Sequence, residues 1–142
     1  ANVVCERDGR AGAVLLRAAS VTAGEEVVRE RRLAAPRRGE AAGWRRRPDP
    51  GPVVPPATRG RTRAPAPEAL LRGPGNLCRG LGITLADNGL DVTGEGSRVL
   101  VVPPQGVPPP LASGPRVGIA RATDAPRRFA WAGHPAVSSP RL

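Results

Sequence analysis

The turn Gly73-Pro74-Gly75 has the residue types of an anion-binding site. Pro74 suits the first position of a helix, because that position needs no backbone N–H group. The flanking glycines leave neighbouring N–H groups open, and free N–H groups at the start of a helix attract negative charge. The turn therefore predicts a contact with an anion such as a phosphate group.

Cysteine and histidine indicate little further chemistry. The chain has two cysteines, Cys5 and Cys78, no CxxC motif and a single histidine, His134. These residues cannot form a disulfide framework or a four-ligand zinc site. We expect two buried thiols and no metal centre.

Positive charge dominates the composition. All 22 basic residues are arginine, the formal net charge is +10, and the sequence pI is about 11.7. This balance favours a polyanionic partner. The alternative is compositional drift, because Ala, Arg, Gly and Pro are abundant together, as they would be in a gene rich in G and C.

Length and hydropathy limit the architecture. The 142 residues, of which 39% are hydrophobic, are enough for one domain with one core. No apolar run approaches the 18 residues of a membrane-spanning helix, and the first residues do not resemble a signal peptide. We expect a cytoplasmic protein that does not bind membranes.

The first part of the chain predicts a hairpin and a helix. Residues 1–18 have the pattern of two paired strands, and the apolar run at 13–16 is typical of a strand buried on both faces. Thr22 and Glu25 have the spacing of a capping box, and arginines follow late in the same segment. We predict a helix over residues 23–34.

Residues 36–67 differ in character from the rest. They include eight prolines, eight arginines and two acidic residues, so this segment carries +6 of the net charge of +10. Such a segment cannot bury enough apolar surface to offset its ordering entropy. We expect a disordered or polyproline-like insertion between residues 1–35 and 68–142, which together form the domain.

The last part of the chain predicts a short helix followed by strands. Pro74 begins the helix and Gly82 ends it. Strand propensity is high at residues 99–102, 116–120 and 128–131. Short strands without a βαβ rhythm indicate an α+β fold, a single domain with a mainly antiparallel curved sheet and a few helices.

Several of these segments, taken in order, resemble the methylpurine-DNA glycosylase family, of the 3-methyladenine and alkyladenine type. The matching pieces lie outside residues 36–67 and include Asn2-Val-Val, Ala13-Val-Leu-Leu-Arg-Ala18, Gly24-Glu-Glu, Leu71-Arg-Gly-Pro-Gly-Asn-Leu-Cys78, Gly114-Pro-Arg-Val-Gly-Ile119 and Gly133-His-Pro-Ala-Val-Ser138. The resemblance covers the carboxy-terminal two-thirds of the family domain. It implies a formyltransferase C-terminal-domain-like fold.

The resemblance also implies an activity. The family bends duplex DNA, flips out an alkylated or deaminated purine and hydrolyses its N-glycosidic bond with an activated water, which leaves an abasic site. It uses no metal and no cofactor. A monomer associated with the nucleoid is expected, with duplex DNA containing damaged purines as its partner.

Four residues match positions of the family pocket. Arg17 is expected to hold the nucleophilic water, with the backbone carbonyl of Val117 beside the same water. Asn2 would discriminate among purines through its amide, and Leu15 would line the pocket. The alternatives are an arginine in a surface ion pair, an asparagine in a turn and two apolar residues of the core.

A second set of positions implies contacts with the DNA backbone. Gly73, Gly75 and Asn76 match the phosphate-contacting turn, where Asn76 stands in place of the usual lysine and removes one charge. His134 and Ser138 lie in a C-terminal turn that is placed to touch the DNA backbone. An ordinary exposed turn is the alternative.

The residues that should complete the family site have no match here. The chain contains no tyrosine, its aromatic residues do not fall on the stacking positions, and none of its 12 carboxylates matches the general base. Base stacking and general-base catalysis both contribute strongly to this chemistry. We therefore expect that the catalytic Glu lies upstream of these residues and that the chain alone is nearly inactive.

Two other interpretations remain open from the sequence. In one, the chain is a non-enzymatic nucleic-acid-binding protein whose Arg-rich segment makes the contacts. In the other, it is an inactive truncated fragment with no stable fold.

Overall fold

The computed structural model describes residues 1–7, 9–10, 12–34 and 65–137. Most of the predicted insertion at 36–67, and Ser138, therefore lie outside the described residues. The regular elements follow one another as β1 (Asn2–Val4), β2 (Ala13–Leu15), α1 (Glu25–Leu33), α2 (Pro74–Leu81), β3 (Leu111–Gly114) and β4 (Arg128–Trp131). Two 3₁₀ turns, Pro67–Ala69 and Leu85–Asp87, flank α2.

The predicted N-terminal hairpin is confirmed. β1 and β2 pair antiparallel, with Asn2 opposite Leu15 and Val4 opposite Ala13. The expected burial of the second strand is wrong, because Val14 and Leu15 are 55% and 47% exposed. Within the described residues β2 pairs only with β1, so the apolar side chains of this two-stranded ribbon face solvent.

The first helix is confirmed, but its predicted cap is wrong. α1 begins after Gly24, which adopts a left-handed conformation with φ of 71° and receives no side-chain cap. Thr22 lies two residues before this cap, so its hydroxyl is out of register with the first turn. The charges do complement the helix dipole, with Glu25 and Glu26 in the first turn and Arg31 and Arg32 in the last.

Two hydrogen bonds of Arg29 brace α1. Its Nη2 atom lies 2.6 Å from the Glu25 carboxylate one turn earlier, and its Nη1 atom donates to the Pro65 carbonyl at 3.0 Å. The first bond supports the helix, as expected for an i, i+4 pair. The second joins the helix to Pro65, just before the first 3₁₀ turn.

The second helix begins and ends where the sequence predicts. Pro74 occupies its first turn, and Gly82 ends it with φ of 71°. The N–H groups of Gly82 and Ile83 then donate to the carbonyls of Arg79 and Cys78, at 3.2 and 2.8 Å. These bonds satisfy carbonyls that the end of a helix would otherwise leave free.

The core lies where α1 meets α2. Val28, Leu70 and Leu71 form its buried centre, and Leu77 is 2% exposed. At the crossing point, a Cβ atom on Gly80 would overlap Leu71 Cδ2 and lie 3.0 Å from Val28 Cγ1. Glycine at position 80 therefore sets how closely the two helices approach.

The second sheet differs in part from the prediction. β4 forms as predicted and pairs antiparallel with β3, which the sequence analysis did not identify. Residues 116–120 do not form the predicted strand, because Gly118 adopts φ of 75° and breaks the extended conformation. Residues 99–102 also form no strand, since Pro103 and Pro104 follow and offer no N–H for a ladder.

The two cysteines are less buried than the sequence predicts. Both cysteines are free, but Cys5 is exposed and Cys78 only half-buried, so the expectation of two buried thiols is wrong.

In the part of the chain that the structure describes, neither helix has the length and apolar character needed to cross a membrane.

A polar cluster that the sequence analysis missed fixes the chain after α2. Thr84 and Asp87 form a capping box, and Arg98 contacts the Asp87 carboxylate through Nε at 2.5 Å and Nη2 at 2.6 Å. The Arg98 guanidinium, followed by the Thr84 N–H, lowers the pKa of Asp87 from 3.8 to about 2. The Thr-x-x-Asp spacing is the signal that would have identified this cluster.

The crossing at Gly80 predicts a difference between two glycines of the same helix. Gly80→Ala should destabilise the protein by about 1–3 kcal/mol, because the added methyl group overpacks the contact with Leu71 and Val28. Gly75→Ala is the control, since a Cβ atom there meets nothing within 4 Å, and alanine should favour the helix by up to about 1 kcal/mol. Urea unfolding of both variants measures the difference, and equal stabilities would contradict the packing.

The lowered pKa of Asp87 predicts a loss of stability in acid. Because the carboxylate is favoured in the folded state, its contribution is complete above about pH 4 and is lost as the pH falls toward about 2. Asp87→Asn should remove that part of the pH dependence, whereas Asp124→Asn, at an exposed loop position, should keep it. Unfolding midpoints across this range provide the measurement, and parallel curves for wild type and Asp87→Asn would contradict it.

Candidate functional site

The first hairpin brings two of the predicted pocket residues together. Asn2 on β1 lies directly opposite Leu15 on β2, and residues that face one another in an antiparallel pair extend their side chains to the same side of the ribbon. Both residues are exposed. The amide and the isobutyl group are therefore neighbours on an open face.

Arg17 lies just beyond the end of β2. The residue is half-buried, and its Nε atom is buried without a hydrogen-bond partner among the described residues. A buried donor without an acceptor is costly, so it is a position where a ligand atom or a water would be stabilised. Its predicted role in holding the nucleophilic water stays a prediction.

Val117 lies in the connection between β3 and β4. It is half-buried and precedes Gly118, whose positive φ turns the chain at this point. Its carbonyl belongs to irregular backbone rather than to the predicted strand. The juxtaposition of Val117 with Arg17 stays a prediction.

The turn at the start of α2 has the predicted backbone but a different use of Asn76. Gly73 adopts φ of 94° and Gly75 is exposed. The first bond of the helix runs from the Leu77 N–H to the Gly73 carbonyl at 2.9 Å. The Asn76 Nδ2 atom donates to the Arg72 carbonyl at 2.7 Å, and its Oδ1 atom accepts from Arg32. Both ends of this amide are therefore occupied within the protein.

His134 is also held by internal contacts. Its Nδ1 atom accepts from the Ala136 N–H at 3.1 Å, and its Nε2 atom lies 3.3 Å from the Ser20 hydroxyl. Because Nδ1 is an acceptor, the neutral ring carries its proton on Nε2. The imidazole also meets Trp131 edge to face, with ring centroids 4.9 Å apart. Its ring nitrogens link the C-terminal turn to the segment after β2, and its predicted DNA contact stays a prediction.

These contacts border a groove of about 390 Å³. It lies between the segment after β2 and the β3–β4 ribbon, and its lining includes Ser20, Leu111, Phe129, Trp131 and His134. The predicted residues Asn2, Leu15, Arg17 and Val117 are not among the residues that line it. The groove is therefore a separate feature from the predicted pocket.

The described residues contain no group of three His, Cys, Asp or Glu side chains arranged to hold a metal ion.

Arginines of the two helices lie close together where α1 packs against α2. Arg31 Nη1 donates to the Gly80 carbonyl at 3.4 Å, and Arg79 Nε donates to the Arg31 carbonyl at 3.1 Å. Desolvation and the neighbouring Arg79 lower the pKa of Arg32. The position of Arg79 across the helix contact from Arg31 and Arg32 is not visible in the sequence.

Comparisons with known proteins show which family this chain resembles. The family model described as methylpurine-DNA glycosylase matches residues 1–135. A protein of Mycobacterium sp. (strain KMS), named "Putative 3-methyladenine DNA glycosylase", is 43% identical over 141 residues, which cover 99% of this chain and 54% of that protein. A protein of the same name from Mycolicibacterium fortuitum is 44% identical over 87% of this chain and 48% of its own length.

The chain thus spans about half the length of the curated relatives that it matches. No solved structure matches it significantly. The family match extends over nearly all of the chain, from the hairpin that carries Asn2 and Leu15 to the turn that carries His134. On the strength of this match and of relatives more than 40% identical, the chain belongs to the methylpurine-DNA glycosylase family.

Proposed function

We propose that this chain takes part in base-excision repair, where it contributes to hydrolysis of the N-glycosidic bond of alkylated purines in duplex DNA. The family match over residues 1–135 carries the proposal. In this reaction a damaged purine such as 3-methyladenine is flipped out of the duplex. Water then hydrolyses its N-glycosidic bond, and an abasic site remains. The α+β fold with a curved antiparallel sheet, the monomeric state and the association with the nucleoid are part of the same proposal.

Within that reaction, the residues of the first hairpin and Arg17 form one side of the pocket. Asn2 presents an amide on the exposed face of the ribbon, next to Leu15. An amide there can test the hydrogen-bonding edge of a purine, while the leucine supplies apolar contact. Arg17, with its Nε donor free of an acceptor in the described residues, orients the water, and the Val117 carbonyl accepts from the same water.

The general base and the stacking aromatics of the reaction belong, on this proposal, to sequence outside these 142 residues. The proposal is supported by the sequence resemblance, which matches none of the 12 carboxylates of the chain to the general base, and by the chain's spanning only about half the length of its relatives. A missing general base lowers the rate by about two to four orders of magnitude. The 142 residues alone should therefore release bases slowly.

A fusion of this chain to the unmatched part of the Mycobacterium sp. relative tests the proposed reaction. The fusion should release 3-methyladenine or hypoxanthine from duplex DNA with multiple turnover, and the unfused chain should be slower by about two to four orders of magnitude. Arg17→Gln in the fusion should lower single-turnover base release by roughly a hundredfold or more, because the water loses its donor.

Arg10→Gln is the matched control for that experiment. It removes the same charge at an exposed position in the connection between β1 and β2, and should leave base release nearly unchanged. A fusion that binds DNA but releases no base would overturn the proposed reaction in favour of a non-enzymatic binding protein. Equal rates for Arg17→Gln and Arg10→Gln would remove Arg17 from the mechanism.

A further inference from the structure

The ribbon formed by β3 and β4 has one apolar face that is open to solvent. Leu111 pairs with Trp131 across the ribbon, and Ser113 pairs with Phe129. Paired residues, and residues two positions apart on one strand, lie on the same side of a sheet. These four side chains therefore share one face, which we name the ribbon face. Its three large apolar members, Leu111, Phe129 and Trp131, are 66%, 71% and 42% exposed.

The groove of about 390 Å³ continues this face. Its lining includes the three apolar residues of the ribbon face, together with Ala18, Ala19 and Ser20 from the segment after β2. None of the described residues that line it is an aspartate, glutamate, lysine or arginine. In a chain with a net charge of +10, this surface is thus uncharged. It suits an apolar polypeptide better than a phosphate backbone, which is bound through cationic side chains.

The core of the described residues does not use the ribbon face. Its buried centre is formed by Val28, Leu70 and Leu71, where α1 meets α2. Soluble proteins seldom leave neighbouring large apolar side chains open unless another surface packs on them. A two-stranded ribbon is also marginal by itself and gains stability when a further layer covers its apolar side. The ribbon face therefore has the character of a surface that is covered in the working protein.

The comparisons indicate which polypeptide is available to cover it. The match spans 99% of this chain but 54% of the Mycobacterium sp. relative, and 48% of the Mycolicibacterium fortuitum relative. About half of each relative therefore has no counterpart among these 142 residues. That half is long enough to add a layer to the ribbon, because a layer of this size needs only a few strands or one helix.

We infer that the ribbon face and its groove form the docking surface for the unmatched half of the family domain, which packs apolar side chains against Leu111, Phe129 and Trp131. The inference rests on the proposed function in that the same half is the proposed source of the general base. Ala18, in the wall of the groove, directly follows Arg17 in the chain. A polypeptide seated in the groove therefore lies beside the segment that carries the proposed water-binding arginine.

Thiol labelling at position 113 tests the docking surface. Ser113→Cys places a small reactive probe on the ribbon face, and Thr123→Cys is the matched control at an exposed position between β3 and β4. Each is compared in the free 142-residue chain and in the fusion to the unmatched part of the Mycobacterium sp. relative, with the labelled site identified by peptide mass spectrometry. Labelling of Ser113→Cys should be about tenfold or more slower in the fusion, because a covered thiol reacts only when the contact opens. Labelling of Thr123→Cys should change little.

Truncation of Phe129 gives a second, independent measurement. In the free chain the ring is mostly in water, so Phe129→Ala should shift the midpoint of thermal unfolding by at most about 2 °C. In the fusion the same change removes a covered ring and should lower the midpoint by roughly 5–15 °C. Val107→Ala is the control, because Val107 is 93% exposed and lies outside the ribbon. It should leave the midpoint nearly unchanged in both proteins.

Three outcomes would overturn the inference. The first is an equal labelling rate of Ser113→Cys in the free chain and the fusion. The second is slow labelling of the free chain that depends on its concentration, since a second copy would then cover the face. The third is protection of position 113 in the free chain by duplex DNA alone. If the fusion does not fold, the unmatched part is added to the free chain as a separate polypeptide, and absence of protection there counts against the inference in the same way.

Base release separates failure of the docking surface from failure of the proposed function. Protection of Ser113→Cys in a fusion that releases no base would leave the docking surface standing and overturn the proposed reaction. Base release by a fusion in which position 113 stays open would overturn the docking surface alone.

Discussion

The close approach of α1 and α2 at Gly80 is the contact on which the described part of this protein depends. It brings Val28, Leu71 and Leu77 out of solvent, and burial of such side chains supplies most of the stability of a small domain. The same contact brings three arginines into one place. Packing and charge are thus coupled, because a residue larger than glycine at position 80 would separate the helices and the guanidinium groups together.

The two ribbons contribute less to stability than the helices do. Each consists of two short strands, and an isolated two-stranded ribbon is marginal in water. On the second ribbon Phe129 is 71% exposed and Leu111 is 66% exposed, so neither side chain is buried in the core of the described residues. The ribbons instead position side chains of the candidate site. Pairing of β1 with β2 places Asn2 beside Leu15, and β4 places Trp131 against His134.

Local signals in the sequence predicted most of the elements. Pro74 and Gly82 bounded α2 correctly because each acts through its own backbone geometry. The capping box at Thr22 failed because Gly24, in a left-handed conformation, is the cap, so the helix starts two residues later than predicted. The strand at 116–120 failed because its strand-forming residues enclose Gly118, whose conformation is decided by the turn rather than by propensity.

The candidate site was less predictable, because it depends on contacts between distant residues. The sequence identified Asn76 as a change from the family pattern and counted it as the loss of a charge. Only the packing of α1 on α2 reveals that Arg32 lies against that amide. The burial of the second strand was overestimated for a related reason, since an apolar run predicts burial only when another element covers it.

The hydrogen bond from Arg29 to the Pro65 carbonyl joins two parts of the chain that lie far apart in the sequence. It holds Pro65, just before the first 3₁₀ turn, against α1. Leu70 and Leu71 follow Pro65 closely and pack with Val28 of the same helix in the core. The segment that leads into α2 is therefore fixed to α1 twice, by a hydrogen bond where it begins and by apolar packing where it ends.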